Sequence, residues 1–261
     1  MTLYAKLKIL QVFNHIMLLI GAAYVINTGE WQWLILSATM HLFMGPIATS
    51  AGLHRLLSHK AYQTSRFWEV TLTILGSLAM MGSSITWVGT HRLHHTTSDK
   101  KNDPHSPYTN RDSVDDRKFS WYMAFKGWFN LWNVDKFSPR YVADLLRDPL
   151  QVFIHKHYYK LIWSLIVIVG IINPLVVIFA LAIPACLVLH ATAFIVVVSH
   201  VHGYRTYNTS DESRNSWISS IATLGDGWHN NHHANPGNWT THEKWWEIDP
   251  MGWFIMLIKK D

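Results

Sequence analysis

The chain alternates between long runs without a charged residue and shorter segments that carry its charge. Residues 9–26 and 31–53 contain no Asp, Glu, Lys or Arg, and a polar turn separates them. A helix as long as 9–26 spans about 27 Å, close to the ~30 Å hydrocarbon core of a bilayer. The uncharged run from 161 to 199 is too long for one span and long enough for two, at about 158–175 and 178–201. The pattern predicts an all-α integral membrane protein with four transmembrane helices.

A further uncharged run, 70–90, lies between two histidine clusters. It contains Gly76, Gly82 and several Ser and Thr residues, so it is less apolar than the four predicted spans. We expect one helix here that lies along the membrane interface or dips into it. A buried helix of the part outside the membrane is the alternative.

The distribution of lysine and arginine indicates the orientation. With four spans, the two short turns on one side contain no Lys or Arg, and all 22 such residues belong to the other side or to the adjoining helix ends. Cytoplasmic segments carry an excess of Lys and Arg. Both termini and the segments 54–157 and 202–261 are therefore expected to be cytoplasmic, within a single domain over 1–261.

Composition agrees with a membrane protein that has no nucleic acid partner. The chain has 14 Trp and 17 His among 261 residues, and Trp collects at membrane–water interfaces. The net charge of +5 is not concentrated in a basic cluster, so it does not indicate nucleic acid binding. The single cysteine, Cys186, lies in an apolar run and excludes an intrachain disulfide.

Three histidine clusters carry the candidate chemistry. Two have the spacing His-x-x-His-His, which places their imidazoles on one face of a helix. The other two histidines, His54 and His59, are about 140° apart on an α-helix, so we expect them to face different metals or to straddle the frayed helix end. With His200 at the end of the fourth span, the candidate ligands are His54, His59, His91, His94, His95, His200, His229, His232 and His233.

The number of imidazoles predicts a centre with two metal ions. Eight clustered histidines exceed the ligand set of one ion, and a structural zinc site has four ligands that usually include cysteine. Imidazole binds Zn, Cu, Fe and Ni, so the ligand type alone does not select the metal. Of the other histidines, His15, His41 and His190 lie within predicted spans and are expected to pack or to line a tunnel, and His202 is a spare candidate ligand.

The sequence around these clusters resembles the membrane fatty acid desaturases of the delta-9, stearoyl-type class over about residues 30–255. The resemblance implies an O2-dependent enzyme that introduces a cis double bond, at delta-9, into a saturated acyl chain. It also implies two Fe ions held by all nine candidate histidines in a cytoplasmic helical domain that caps the spans, with Zn as a replacement in recombinant protein. The motifs are Gly52-Leu-His-Arg-Leu-Leu-Ser-His59, Trp87-Val-Gly-Thr-His91-Arg-Leu-His-His95, Asp103-Pro-His105, Gly203-Tyr-Arg205, Gly225-Asp-Gly-Trp-His-Asn-Asn-His-His233 and Trp245-Trp-Glu-Ile-Asp-Pro250.

The resemblance also implies partners. The substrate is a fatty acyl chain carried by coenzyme A, acyl carrier protein or a lipid, and the sequence leaves these three open. The chain has no Gly-rich dinucleotide motif, cysteine cluster or His-Pro-Gly-Gly haem motif. Electrons are therefore expected from a separate ferredoxin or haem-b cytochrome with its reductase. An apolar tunnel must select one carbon pair, and the resemblance places its closed end at Leu42 and Pro46.

Two positions depart from the family pattern. Four residues before the ligand that corresponds to His200, the family often has an Asn that contacts a metal through water, and this chain has Val196. Asp226 precedes the third cluster where Glu is common.

Acidic residues near the clusters are candidates for orienting the imidazoles, because ligating histidines usually donate their second ring N–H to a carboxylate or carbonyl. The candidates are Asp99, Asp103, Asp226 and Glu243, although acidic residues more often lie on the surface. His105 is expected to be structural or to face the substrate.

Two other functions remain open from the residues alone. A hydroxylase or ketolase on the same scaffold would share the oxidant, and substrate position would decide the product. A metal transporter or metal-binding membrane protein would place ligands midway through its spans, whereas these clusters lie at span ends and in charged segments.

Overall fold

The computed structural model describes residues 1–109, 112, 116–129 and 137–260, and most of these residues are helical. Two short 3-10 turns, Pro139–Val142 and Leu145–Arg147, precede the sixth helix. A small antiparallel ribbon pairs β1, Tyr108–Thr109, with β2, Lys118–Phe119. The helices are α1 Leu3–Thr28, α2 Gln32–Ser58, α3 Arg66–Leu78, α4 Ser84–Thr97, α5 Trp121–Phe129, α6 Pro149–Ile172, α7 Pro174–Val198, α8 Trp217–Thr223, α9 His229–Ala234 and α10 Pro250–Ile258.

Four helices, α1, α2, α6 and α7, are long and apolar enough to cross a membrane, which confirms the four predicted spans. The Thr2 hydroxyl caps α1 by accepting from the Ala5 amide, and α1 ends at Gly29 with a left-handed φ of 72°. Helix α6 begins well before the uncharged run because Asp148 caps it and Pro149 takes its first position. The third and fourth spans meet at Asn173.

The four long helices pack closely and present apolar outer faces. A Cβ at Gly21 of α1 would lie 2.7 Å from the Ile183 side chain of α7, so a larger residue at this position would force that side chain to shift. On the outside, Leu19 is 71% exposed and Ile171 is 81% exposed. Exposed apolar surface of this extent needs a cover, and lipid provides it for membrane-spanning helices.

The second half of α2 is a wider π-helix, Phe43–Ser58, in which amides bond to carbonyls five residues back. The His59 amide donates to the His54 carbonyl at 3.2 Å. Residues five apart therefore lie on nearly the same face, and the His54 and His59 rings have centroids 5.1 Å apart. Of the two expected arrangements, the one in which these rings face different metals assumed α-helical geometry and is wrong. The other agrees with the structure in that His54 lies within the helix and His59 directly follows its last residue.

The run 70–90 forms two helices rather than the single helix expected. Helix α3 ends at Leu78 and α4 begins at Ser84. Met80 and Gly82 between them have φ values of 55° and 95°, which a continuous helix does not allow. The Ser83 hydroxyl then caps α4 by accepting from the Thr86 amide. Neither helix is among the four long enough to span a membrane.

Helix α3 lies against α2 through a reciprocal pair of glycine contacts. A Cβ at Gly52 would lie 2.8 Å from Leu72, and a Cβ at Gly76 would lie 2.8 Å from Leu53. The end of the chain joins the same region, because the Lys260 amide donates to the Gln63 carbonyl at 2.8 Å. The α2–α3 connection is thus fixed from two sides, which holds the segment with His54 and His59 in place.

Candidate metal centre

Nine histidines converge where α2, α4 and α9 meet the end of α7, and they are the nine singled out from the sequence. Their ring nitrogens form two adjacent groups, and within each group these atoms lie within 4.8 Å of one another. The five-histidine group is His54, His59, His91, His95 and His232, and the four-histidine group is His94, His200, His229 and His233.

Each His-x-x-His-His motif contributes to both groups, in opposite proportions. Helix α4 gives His91 and His95, one turn apart, to the five-histidine group and His94 to the other. Helix α9 gives His229 and His233 to the four-histidine group and His232 to the five-histidine group. The spacing i, i+3, i+4 spreads three rings across one helix face, and the two groups meet along that face.

The five-histidine group has its ring nitrogens at coordination spacing. The Nε2 atoms of His59 and His91 are 2.8 Å apart, those of His54 and His232 are 2.9 Å apart, and those of His232 and His95 are 3.1 Å apart. Imidazole–metal bonds of about 2.1 Å at right angles separate neighbouring nitrogens by about 3.0 Å. These distances therefore fit edges of one coordination sphere.

In the four-histidine group, three rings are held by buried carboxylates. The Nδ1 atom of His94 lies 3.0 Å from Asp103, that of His200 lies 2.7 Å from Asp99, and that of His233 lies 2.7 Å from Asp211. A carboxylate on Nδ1 fixes the tautomer that leaves Nε2 free to bind a metal.

The metal-facing nitrogens of this group lack other partners. Among the described residues, the Nε2 atoms of His94, His200 and His233 and both ring nitrogens of His229 are buried without a hydrogen bond. An unsatisfied buried polar atom costs about 1–3 kcal/mol, and a bound cation would take these lone pairs. The donor set, nine imidazoles without a thiol, fits a pair of metal ions.

The protonation states mostly agree with metal binding, which needs neutral imidazole. Burial lowers the pKa of His91, His95, His229 and His232 well below its ordinary value of 6.5. Burial has the same effect on the pKa of His200, but the Asp99 carboxylate outweighs it and raises this pKa to about 9. A metal that binds His200 must therefore displace a proton.

The aspartates beside the centre lie deeper than the sequence suggested. Asp99, Asp103 and Asp226 are buried, whereas Glu243 is exposed. The sequence reasoning missed Asp211, which belongs to no histidine motif. Its local sequence signal is the Asp-x-Ser spacing, in which the Ser213 amide donates to the Asp211 carboxylate as in an Asx turn.

Arg55, next to His54, pairs with Asp226, the carboxylate beside the five-histidine group. Its guanidinium lies 2.9 Å from Asp226 and 2.7 Å from Asp249. Asp226 also accepts from the Ser50 hydroxyl at 2.7 Å, and its second oxygen lies 3.7 Å from His54 Nδ1. The Asp226 carboxylate is thus shared among several donors and only approaches His54.

An apolar cavity borders both groups, and a second cavity lies beside it between α2 and α7. The first is lined by His54, His91, His94 and His229, together with Trp87, His105 and Val196. The two cavities share Thr49, Thr192, Ile195 and Asp226. The two cavities therefore adjoin, and the second extends the cavity region away from the histidine groups.

The predicted tunnel residues take different positions. Pro46 lines the second cavity together with His41, whereas Leu42 is not among its lining residues and is 37% exposed. Val196 lines the first cavity. His105, expected to be structural or to face the substrate, also lines the first cavity, and its ring lies 4.5 Å from that of His94.

Three other histidines do not join the centre. His202 is exposed. His15, His190 and Cys186 bring three donor atoms together within the spans, but the Trp128 Nε1–H donates to His190 Nδ1 at 2.9 Å. A neutral His190 then carries its proton on Nε2 and donates it to His15 at 3.1 Å, so this nitrogen has no lone pair for a metal.

Comparison with known proteins gives one consistent family. The family model for fatty acid desaturase matches residues 31–249. The chain is 34% identical over 236 residues to an sn-2 palmitoyl-lipid 9-desaturase of Nostoc sp. (strain 36), which covers 88% of this chain and 79% of that protein. It is 30% identical over 244 residues to an sn-1 stearoyl-lipid 9-desaturase of Anabaena variabilis, with 92% and 86% covered. A third relative, an sn-1 stearoyl-lipid 9-desaturase of Synechocystis, is 30% identical over 239 residues, with 91% and 72% covered.

Proposed function

The chain belongs to the fatty acid desaturase family and is an oxidoreductase that introduces a double bond into a fatty acyl chain; on this premise, we propose that the chain carries out this reaction on an acyl group esterified to a membrane lipid. The double bond is cis in this proposal and forms at carbon 9, the position that the names of the three relatives state for those proteins. The single observation that supports the reaction is the position of two histidine groups at the wall of an apolar cavity, and the lipid carrier rests on the names of the relatives.

The nine histidines are the ligands of two iron ions in this proposal. An unactivated methylene has no acidic proton and no leaving group, so side chains cannot attack it. The iron pair, when bound, would supply the power to reduce dioxygen and to remove hydrogen from carbon. The net reaction converts –CH2–CH2–, O2, two electrons and two protons into –CH=CH– and two water molecules. Zinc binds the same imidazoles and would replace iron in recombinant protein without supporting the reaction.

The chain itself selects the carbon pair. The acyl chain enters the first cavity beside His54 and His91 and continues into the second, past Thr49 to Pro46. An apolar path of fixed depth holds one carbon pair at the histidine groups and excludes others. We keep Leu42, one turn before Pro46, as a proposed boundary of the chain end.

The orientation follows the charge distribution. The single domain spans 1–261, with both termini, the segments outside the four helices and the histidine groups on the cytoplasmic side, where the Lys and Arg residues lie. The helices outside the four spans form a cytoplasmic cap over them. Electrons come from a separate ferredoxin or haem-b cytochrome with its reductase, which approaches the cytoplasmic side of the chain.

Expression in a host that lacks unsaturated fatty acids, followed by mass spectrometry of its lipids, tests the proposal. We expect delta-9 monounsaturated chains with wild-type protein and none with His95→Ala or His233→Ala, one ligand from each group. Products that gain oxygen instead of losing two hydrogens would identify a hydroxylase. Purified enzyme offered acyl-lipid vesicles, acyl-CoA and acyl carrier protein should act on the vesicles; activity only with a soluble carrier would overturn the lipid assignment.

A further inference from the structure

The two histidine groups differ in the charge around them. Three of the four rings in the four-histidine group donate Nδ1–H to a buried carboxylate at 2.7–3.0 Å. In the five-histidine group, the one ring–carboxylate approach among the described residues is His54 to Asp226 at 3.7 Å, beyond hydrogen-bond distance. The four-histidine group has fewer ligands but much more anionic support.

The supporting carboxylates are themselves fixed by the chain. Asp99 accepts from the Ser106 hydroxyl at 2.6 Å and from the Glu212 amide at 2.9 Å. Asp103 accepts from the Asp99 amide at 2.7 Å. The Asp211 carboxylate accepts from the amide and the hydroxyl of Ser213, at 3.1 and 2.6 Å. These bonds hold the carboxylates in position whether or not a metal is present, so little reorganisation accompanies binding.

Nearby cations do not cancel this support. Arg117, Arg205 and Arg214 all pair with Glu212 rather than with the three aspartates. At the five-histidine group, Arg55 bonds to Asp226 at 2.9 Å and neutralises the nearest carboxylate. Arg92 donates to the Ser58 carbonyl, directly before His59, at 2.8 Å and pairs with Asp144 at 2.8 Å. A divalent cation there is near carboxylates that already pair with guanidinium groups.

These differences have a direct effect on affinity. An oriented carboxylate raises the basicity of the imidazole that it holds, and loss of such a partner costs about 10–100-fold in metal affinity. Three partners at the lower end give on the order of 10³-fold, against one additional imidazole in the five-histidine group. We propose that the four-histidine group retains its metal ion more tightly and that the five-histidine group is the labile, exchangeable position. This inference rests on the ligand sets of the proposed function.

Stepwise chelation tests it. Purified protein in detergent is loaded with Zn²⁺ or Co²⁺ and exposed to increasing chelator, and retained metal per chain is measured by mass spectrometry. We expect two steps at least tenfold apart in chelator concentration. His95→Ala should remove the early step, and His233→Ala should remove the late step.

The aspartates provide the decisive variants. Asp211→Asn and Asp103→Asn keep the shape of the side chain but not its charge. Each should shift the late step about 10–100-fold toward lower chelator concentration and leave the early step unchanged. Asp112→Asn is the matched control, since Asp112 is 77% exposed and pairs with Lys101, and it should move neither step. Circular dichroism and gel filtration establish that each variant is folded.

The outcomes separate the inference from the proposed function. Two ions that leave in one step, a late step removed by His95→Ala, or a late step unmoved by both aspartate variants would overturn the inference and leave the two-metal centre intact. A folded wild-type chain that binds fewer than two ions would overturn the ligand sets and the inference together.

Discussion

Arg55 and Asp249 form a two-bond ion pair, with Nη1 of the guanidinium 2.7 Å from Oδ2 of the carboxylate and Nη2 3.0 Å from Oδ1. Both side chains are fully inaccessible to solvent. The guanidinium also donates to the Trp239 carbonyl at 3.1 Å. The residue that follows His54 thus ties the end of α2 to the segment before α10, and the histidine-bearing parts of the chain are joined through it.

Removing one member of this pair should destabilise the fold. Asp249→Asn leaves the buried Arg55 guanidinium with Asp226 as its anionic partner, and breaking a buried pair costs about 3–5 kcal/mol. Thermal unfolding of the variant in detergent should occur at a clearly lower temperature. Glu69→Gln, which alters an exposed pair with Arg66, is the control and should unfold at the same temperature as wild type. Equal unfolding temperatures for Asp249→Asn and wild type would contradict the role of the pair.

The same pair predicts a pH dependence. Burial opposes ionisation of Asp249, but Arg55 outweighs it and lowers the pKa of this carboxyl in the folded chain. A depressed pKa in the folded state contributes stability that is present above the ordinary pKa of about 3.9 and is lost as pH falls through the folded-state value. The stability difference between wild type and Asp249→Asn should therefore be constant near neutral pH and shrink below about pH 4. A difference that widens in acid would contradict this assignment.

The second cavity should set the preferred chain length. Ala191→Leu adds volume to its wall and should shift products toward shorter acyl chains, whereas Val188→Ala removes volume and should admit longer ones. Lipid profiles of cells that express each variant provide the measurement. Leu42→Ala tests the boundary expected from the sequence. Products with longer acyl chains would place Leu42 at the end of the path, and an unchanged lipid profile would exclude it from that position. Identical profiles for Ala191→Leu and Val188→Ala would contradict the proposed path.

The positive net charge of the chain should make electron delivery sensitive to salt. The chain carries a net charge of +5, and association of oppositely charged proteins slows as salt screens their attraction. With an acidic ferredoxin or haem-b cytochrome at limiting concentration, turnover should fall several-fold between low and high salt and recover when the donor is in excess. Turnover that is independent of salt at limiting donor would rule out electrostatic docking.

The motifs made much of the fold and the histidine cluster predictable. Uncharged runs identify spans because bilayer thickness sets their length, and the His-x-x-His-His spacing places rings on one helix face wherever that helix lies. The break at Met80–Gly82 was not predictable, because the run 70–90 is uniformly uncharged and its interruption depends on how α3 packs against α2.

Other features depend on tertiary structure. The common direction of His54 and His59 follows from the π-helical end of α2, which hydrophobic periodicity does not indicate. The role of Asp211 depends on the path of the chain between α7 and α8, which brings it beside His233. Sequence separation gives no information about such a contact between a loop and a distant helix.

The position of the metal ions tests the central claim most directly. A crystal structure of iron-loaded protein, with anomalous diffraction recorded at the iron absorption edge, locates iron independently of any assumption about ligands. We predict two anomalous peaks, one bound by the Nε2 atoms of the five-histidine group and one within the four-histidine group. A single peak, or iron at His15 and His190 instead of these groups, would contradict the account.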